Sequence, residues 1–234
     1  MKRLLCALSL LSAVLHGEQS CRASIDASQP GWRALTQDDF THVNSADDTW
    51  TWQEDGTLAC TGQPLSVLRT TEKYTNFELV LEWNHRKPAG NSGLFVWTTP
   101  ESIEKLTTKG QPGLPAGIEV QILDIGYKEK VAQRGGNTNW FTCHGDVFAV
   151  GVEMTPMGKV SPDGKRSFPR QELSKSHGNW NHYYVRAING EVRLWVNGEE
   201  VSGGTGCNPA EGFLCLESEG SPILFRNLRI RELP

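Results

Sequence analysis

The sequence lacks several features that would point to common classes of protein. Its six cysteines include no Cys-x-x-Cys pair, which argues against a zinc knuckle or a thioredoxin-like site. Beyond residue 15, no apolar run approaches the roughly 18 residues that a transmembrane helix needs. The formal net charge is −4, too acidic to follow a phosphate backbone, and no nucleic-acid recognition motif is present. We therefore expect neither a nucleic-acid partner nor a membrane span.

The N-terminus has the pattern of an export signal. Lys2 and Arg3 precede the apolar run Leu4 to Leu15, and Cys21-Arg22-Ala23 places small residues at the −3 and −1 positions of a cleavage site. This predicts a signal peptide at residues 1–23, a periplasmic or extracellular location, and a single domain at residues 24–234. Disulfides are then permitted, and three full pairings are open to the remaining thiols: Cys60, Cys143, Cys207 and Cys215.

Short apolar runs separated by turn residues fill the rest of the chain, with 24 Gly and 12 Pro between them. Asn189-Gly190 predicts a type I′ hairpin, and only 101–109 reads as a helix, with Thr99 as its cap. The pattern predicts an all-β, antiparallel two-sheet jelly-roll sandwich. The predicted strands are 49–53, 65–69, 77–83, 93–97, 118–123, 146–152, 182–188, 192–196, 213–217 and 223–231.

The last predicted strand contains a shift in its apolar pattern. Ile223 and Phe225 share one parity and Leu228 and Ile230 the other, so a bulge is expected around Arg226-Asn227. Glu217 and Glu219, just upstream, place two carboxylates on one side of the preceding strand. Paired carboxylates can act as general acid and base or hold a divalent cation, and apolar surroundings would raise the pKa of each.

Two further segments carry candidate chemistry. In 117–124, Glu119 and Gln121 lie on the strand face opposite to the apolar one, where simple exposure to solvent is the alternative. His144 and Asp146 are two residues apart and can point the same way in a strand. Trp97 and Trp140 are among eight tryptophans that could stack on a sugar ring, although a tryptophan more often packs in a core.

Five segments in order resemble the 3-keto-disaccharide hydrolase domain family, also described as 3-keto-glucoside 1,2-lyase/3-keto-2-hydroxyglucal hydratase. The resemblance covers about residues 31–233 and implies a concanavalin A-like lectin/glucanase jelly roll. Many members carry Leu-Gln-x-His-Gly in the penultimate strand, whereas this chain has Leu216-Glu217-Ser218-Glu219-Gly220. The segments are Asn91-Ser92-Gly93-Leu94-Phe95, Gly117 to Asp124, Asn179-Trp180-Asn181-His182-Tyr183, Val196-Asn197-Gly198 and Phe225 to Ile230.

The resemblance implies an exported enzyme that cleaves oxidised disaccharides or glycosides by elimination and rehydration. Its catalytic groups would be Glu119, His144, Glu217 and Glu219. A divalent cation held by Glu119 and His144 would serve as the electrophile. The substrate-binding residues would be Asn91, Gln121, Trp97, Trp140 and Arg226.

Two other functions are compatible with the same sequence. A lectin-like carbohydrate-binding module needs tryptophans and hydroxyl partners but no cluster of carboxylates, and the fold serves both classes. A conventional glucanase-type hydrolase needs two carboxylates across the scissile bond, usually from a Glu-x-Asp-x-x-Glu-like strand that is not found here.

Overall fold

The computed structural model describes residues 25–234, so the predicted signal peptide lies outside the described residues. Seventeen strands and two helices, α1 (Pro100–Lys109) and α2 (Tyr127–Gln133), make up this part of the chain. The strands are β1 (Arg33–Ala34), β2 (Phe40–Val43), β3 (Trp50–Trp52), β4 (Leu58–Cys60), β5 (Ser66–Thr70), β6 (Phe77–His85), β7 (Asn91–Thr98), β8 (Gly117–Leu123), β9 (His144–Val150), β10 (Glu153–Pro156), β11 (Lys159–Val160), β12 (Arg166–Phe168), β13 (Asn181–Ile188), β14 (Glu191–Val196), β15 (Glu199–Asn208), β16 (Phe213–Ser218) and β17 (Ile223–Glu232).

The strands form two antiparallel sheets. A nine-stranded sheet has the order β10-β15-β14-β13-β6-β17-β4-β3, with β1 added beside β17. An eight-stranded sheet has the order β11-β12-β9-β8-β7-β16-β5-β2. The predicted all-β two-sheet jelly roll is thus confirmed.

Alternation of side chains along each strand explains how the sheets face each other. In β6, Phe77, Leu79, Leu81 and Trp83 are all buried in the main core, and from the eight-stranded sheet 118, 120 and 122 of β8 join the same cluster. Since strand side chains point to opposite faces in turn, the residues between them lie on the outer faces of the sandwich. Each sheet therefore has one core face and one outer face.

The sequence predicts one of the two α-helices but not the other. In α1, Thr99 Oγ1 accepts a hydrogen bond from the Ser102 N–H at 3.2 Å, and Gly110 ends the helix with a left-handed φ of 58°. The predicted helix and its cap are confirmed. The seven-residue α2 has no side-chain cap and was not predicted. None of the helices in residues 25–234 is long and apolar enough to cross a membrane.

Local backbone predictions also match the structure. Asn189 and Gly190 both have positive φ, 50° and 74°, as a type I′ hairpin requires. The register between β17 and β6 shifts between Arg226 and Arg229, and Asn227 has a φ of 52°. The predicted bulge is therefore present, but in the nine-stranded sheet. The four cysteines within residues 25–234 are buried and unpaired.

Candidate functional site

Three glutamates meet on the outer face of the eight-stranded sheet. Glu119 in β8 lies between Ile118 and Val120, which face the core, so its own side chain takes the opposite face. In the next strand, β7, Phe95 pairs with Glu119 and also with Cys215 of β16. The carboxylates of β8 and of β16 are thus brought to the same face, one strand apart.

A glycine in the strand between them makes room for Glu217. A Cβ added to Gly93 would lie 2.6 Å from Glu217 Oε2 and 2.8 Å from its Cδ. Such distances are far below a normal contact, so the Glu217 carboxyl occupies the space where any other residue at position 93 would place its side chain. The Glu217 side chain is fully buried in this position.

Burial raises the pKa of all three glutamates, and repulsion between carboxylates adds to it for Glu119 and Glu217. The Glu119 carboxyl, 6% exposed, has its pKa raised to about 8, first by burial and then by the charge of Glu219, with Arg166 acting in the opposite direction. Burial, and then the charges of Glu119 and Glu219, raise the pKa of Glu217 well above its ordinary value. The pKa of the half-buried Glu219 is also raised by burial. In neutral solution the cluster therefore retains protons that exposed glutamates would lose.

Neither carboxyl oxygen of Glu217 has a hydrogen-bond partner among the described residues. An ionised carboxylate without a donor is unfavourable in a buried position, which agrees with the raised pKa of Glu217.

A second acidic group and its cation border the cluster. Asp146 accepts hydrogen bonds from Thr142, from the backbone N–H at 2.9 Å and from the side-chain hydroxyl. Its pKa is raised to about 6 by burial, against the lowering effects of Thr142 and Arg166. Arg166 Nη1 lies 3.7 Å from Asp146 Oδ2, and the guanidinium is stacked 3.4 Å from the Phe148 ring centroid and 4.7 Å from that of Trp140.

Gln121 and Asn91 form the polar floor next to the glutamates. Gln121 Nε2 donates to Asn91 Oδ1 and to the Ser92 carbonyl oxygen, each at 3.2 Å. Gln121 pairs with Gly93 across β7, so its amide lies on the same face as Glu217. The predicted binding residues Asn91 and Gln121 are therefore held in place beside the acidic cluster.

A pocket of about 380 Å³ opens at this end of the sheet. Its polar side chains come from Gln63, Asn91, Tyr127, Lys130, Glu219 and Ser221. Burial, and then the nearby Glu219 charge, raise the pKa of the Tyr127 phenol. The volume falls within the range usual for small-ligand sites. A void of about 10 Å³ between the sheets is lined by apolar core side chains and is too small for a ligand.

The structure places His144 away from this cluster. His144 pairs with Ile122, a core-facing residue. Its Nε2 accepts hydrogen bonds from the backbone N–H groups of Leu173 and Ser174 at 3.2 Å, and its Nδ1 lies 2.5 Å from Ser174 Oγ. Burial lowers its pKa to about 4, which keeps the ring neutral. The expectation that an imidazole joins the carboxylates is corrected: His144 anchors the 173–174 loop.

Two other predicted binding residues also lie elsewhere. Trp97 is fully buried, packs edge-on against Phe77 and donates from Nε1 to the Thr75 carbonyl oxygen at 2.9 Å, so it cannot contact a sugar. Arg226 Nε donates to Glu82 Oε2 at 2.6 Å on the opposite sheet. Both expectations are corrected by topology, because the alternation along a strand does not say which sheet or layer the residue reaches.

The donor set does not fit the divalent cation expected from the sequence. Glu119 and His144 lie on opposite faces of the sheet, and both His144 nitrogens already have protein partners. Within residues 25–234, no group of three His, Cys, Asp or Glu side chains is placed to hold an ion. We therefore derive no step through a metal.

Three residues near the cluster were not predicted from the sequence. Arg166 belongs to a three-residue strand, and Tyr127 and Lys130 to the unpredicted α2. The one local pattern that could have indicated an outward-facing Arg166 is the alternation between residues 166 and 168. Trp140, which was predicted, is 46% exposed beside Arg166.

Comparison with known proteins agrees with this architecture. A candidate glycosyl hydrolase from Parabacteroides distasonis ATCC 8503 superimposes with a TM-score of 0.62 at 21% identity, covering 92% of this chain and 97% of that one. The carbohydrate-binding module CBM66 from Bacillus subtilis gives 0.55 at 11% identity, covering 86% and 100%. At such identities the likeness shows the fold alone. None of the curated proteins matches this chain.

The family match is more specific. Residues 26–231 fit the sequence profile of the 3-keto-alpha-glucoside-1,2-lyase-like domain, which supports a carbohydrate-active function. This range includes every residue of the acidic cluster and of the pocket. The chain therefore belongs to the 3-keto-alpha-glucoside-1,2-lyase-like domain family.

Proposed function

We propose that the protein is an exported enzyme that cleaves 3-keto-glycosides by elimination across C2 and C1, followed by rehydration. The observation that carries the proposal is the convergence of Glu119, Glu217 and Glu219, each with a raised pKa, beside a pocket of about 380 Å³. Perturbed carboxyl groups of this kind cluster at sites of proton transfer. Membership of the family supplies the substrate class.

The reaction needs two proton transfers in the elimination, two in the hydration, and water, but no oxidant. A ketone at C3 makes the C2 proton acidic, because its removal gives an enolate. The enolate electrons then form the C1–C2 double bond as the C1–O bond breaks, and the departing oxygen takes a proton. Water next adds its hydroxyl to C1 and a proton to C2, so that the net change is hydrolysis. A base, an acid and a positive group near the enolate oxygen are sufficient.

Glu219 is best placed to be the base. It lines the pocket and is half-buried, so its carboxyl can reach a bound sugar. Its raised pKa also makes it a stronger base than an exposed glutamate.

Glu119 is the better candidate for the acid. With a pKa of about 8 it is protonated at neutral pH. Glu119 does not line the pocket itself, so it would deliver its proton to the departing oxygen from behind the pocket wall. Lys130, which lines the pocket and donates to the Ala89 carbonyl oxygen at 3.4 Å, brings a positive charge that can stabilise the enolate. Asn91 and Gln121 would bind sugar hydroxyls.

The competing functions differ in what the site must contain. A conventional glycosidase holds its carboxyl groups about 5–10 Å apart around the scissile bond and acts on unoxidised glycosides, so the choice of substrate separates it from the proposed enzyme. A lectin-like module is favoured by one observation, the exposed ring of Trp140 beside Arg166. It does not account for three glutamates with raised pKa values.

The decisive experiment compares oxidised and unoxidised substrates. We expect the purified domain to release the leaving sugar from 3-ketosucrose and other 3-keto-glycosides but not from the parent disaccharides, in assays run with and without a chelator. Glu219→Gln should lower kcat at least about 100-fold, the usual contribution of a general base. Glu211→Gln, which alters an exposed glutamate paired with Lys73 at 2.5 Å, is the matched control and should change kcat less than about 2-fold.

Other outcomes would replace the proposal. Cleavage of unoxidised disaccharides would indicate a conventional hydrolase. Binding of disaccharides without turnover of any substrate would indicate a lectin-like module. A rate for Glu219→Gln close to that of the control would remove Glu219 from the mechanism.

A further inference from the structure

Asp124 is a buried carboxylate that no step of the proposed reaction uses. It directly follows β8 and is 2% exposed. Its Oδ2 accepts hydrogen bonds from the backbone N–H of Ala89 at 2.7 Å and of Gly126 at 3.0 Å, and its Oδ1 accepts one from that of His177 at 2.7 Å. One carboxylate therefore holds three separate loops: the one between β6 and β7, the one before α2 and the one before β13.

Backbone hydrogen bonds tighten the same junction. The Asp124 N–H donates to the Gly90 carbonyl oxygen at 3.0 Å, and the Tyr127 N–H donates to the Asp124 carbonyl oxygen at 2.8 Å. A Cβ added to Gly126 would lie only 3.1 Å from Asp124 Oδ2, so the two residues are in close contact. Because α2 has no side-chain cap of its own, these bonds to Asp124 fix the position of its first residues.

The bonds at Asp124 close a ring that includes Lys130. This lysine lies on α2, about one turn after Tyr127, and its Nζ donates to the Ala89 carbonyl oxygen at 3.4 Å. Ala89 is bound in turn, through its N–H, to Asp124. Ala89, Tyr127 and Lys130 all line the pocket. Removal of the Asp124 carboxylate would therefore release Lys130 both at its helix and at its acceptor.

The cation of the pocket depends on such support. A lysine ammonium is a mobile point charge at the end of a flexible stem. Stabilisation of an enolate requires a charge that is already in place before the reaction, because moving it in the transition state cancels the benefit. The Ala89 carbonyl oxygen and the Tyr127 ring, whose centroid is 5.5 Å from Nζ, are two contacts of this ammonium. Both belong to segments that Asp124 holds.

We propose that Asp124 is a positioning residue: it fixes Ala89 and the start of α2, so that the Lys130 ammonium is held in the pocket where the enolate forms. The inference deepens the proposed function and rests on it for the role of Lys130. Asp124 itself does not line the pocket. Its effect on turnover therefore passes through Lys130.

The first experiment is a double-mutant cycle on kcat for a 3-keto-glucoside. Lys130→Met removes the charge and should lower kcat about 100-fold, as the loss of an oxyanion-stabilising group does. Asp124→Ala should lower kcat at least about tenfold, because a displaced charge loses part of that stabilisation. Since both changes act through one ammonium, the double variant should have a kcat within about 2-fold of that of Lys130→Met. A kcat reduced by the product of the two single effects would overturn the proposal.

A conservative substitution adds a rescue test. Asp124→Asn keeps one acceptor oxygen, which can bind the N–H groups of Ala89 and Gly126 while the bond to His177 is lost. Its kcat should therefore stay within about 3-fold of the wild type. A kcat as low as that of Asp124→Ala would contradict a role through the pocket side of the carboxylate.

Asn181→Ala is the matched control. The Asn181 side chain is 1% exposed and binds the Lys175 N–H at 2.7 Å and the Lys175 carbonyl oxygen at 3.0 Å, in the same loop as His177. Its loss should lower the free energy of unfolding but leave kcat within about 2-fold of the wild type. A loss of kcat equal to that of Asp124→Ala would attribute the effect to this loop and overturn the proposal.

The second experiment needs no substrate. Competitive acetylation with acetic anhydride, followed by mass spectrometry, should modify Lys130 at least about threefold faster in Asp124→Ala than in the wild type, because Nζ is no longer held against Ala89. Lys73, which is paired with Glu211, is the internal control and should react equally in both proteins. An unchanged rate at Lys130 would overturn the proposal.

The two experiments separate the possible failures. Should no 3-keto-glycoside be cleaved, the proposed function fails, while the acetylation rates still decide whether Asp124 holds Lys130. Should Asp124→Ala not fold, Asp124→Ser takes its place in both experiments. A serine hydroxyl can keep the short-range bond to Gly126 but does not reach Ala89, so the same faster acetylation and the same non-additivity are expected.

Discussion

The glutamates on the two outer faces of the sandwich have opposite kinds of neighbours. On the nine-stranded sheet, Glu78 is bonded to Arg231 and accepts from Tyr184 Oη at 2.6 Å. Its neighbour along β6, Glu82, is bonded to Arg226 at 2.6 Å and to Asn227 at 2.8 Å. On the eight-stranded sheet, three glutamates lie together, with Arg166 the cation that acts on Glu119.

Burial alone does not separate the two faces. Glu78 is 7% exposed and Glu119 6% exposed, and both belong to long strands. The difference is in the partners: a carboxylate with its own guanidinium is fixed in one charge state, whereas carboxyls that share a few protons can exchange them. The glutamates of one face are thus each held by a cation, whereas on the other face three glutamates with raised pKa values lie together.

The largest effect is expected from removing a partner on the nine-stranded sheet. Arg231→Met leaves Glu78 buried without its cation, so the free energy of unfolding should fall by about 2–4 kcal/mol. Turnover of 3-keto-glycosides should remain, because the change lies across the core from the pocket. Chemical denaturation and a kinetic assay measure the two quantities. A loss of activity in a folded variant would break the distinction between the faces.

A substitution on the eight-stranded sheet should have the opposite effect and raise the free energy of unfolding. The folded pKa of Glu119, about 8, is above its unfolded value of 4.5, so the wild type loses stability as pH rises between these values. Glu119→Gln lacks this loss, so its stability relative to the wild type should rise by roughly 3–4 kcal/mol between pH 5 and pH 8. It should also be inactive, because an amide delivers no proton. Denaturation at both pH values tests this, and a destabilised variant at pH 8 would contradict it.

The smallest effect is expected at an exposed pair. Arg226 is 41% exposed in its side chain, paired with Glu82 and stacked 4.0 Å from the Trp180 ring centroid. Arg226→Ala should therefore cost less than about 1 kcal/mol and leave kcat unchanged. Loss of substrate binding would restore the sequence-based expectation for Arg226.

The sequence predicted the fold well because its signals are local. Alternation in β6, the positive φ of Asn189-Gly190 and the Thr99 cap each depend on a few adjacent residues. The helix α2 was not predicted because it has only seven residues, no side-chain cap and no clear apolar stripe. Its packing against Phe141 is a tertiary effect.

The site was predicted only in part because it depends on which strands become neighbours. Alternation identified Glu119, Gln121, Glu217 and Glu219, and β7 brings them together. The register between β8 and β9 shifts just before His144, and this turns its side chain toward the core. Alternation alone could not show that shift, nor that Arg226 belongs to the other sheet. Arg166 is recognisable only once β12 is placed beside β9.

The overlap between Gly93 and Glu217 has a consequence for how such sequences can diverge. The missing side chain at 93 and the carboxyl at 217 fill one volume, so a long residue at 217 is accessible only to a lineage that already has glycine at 93. A larger residue could replace Gly93 only after position 217 had already changed to a shorter residue. These two positions, 124 apart along the chain, should therefore change together among relatives, and in that order.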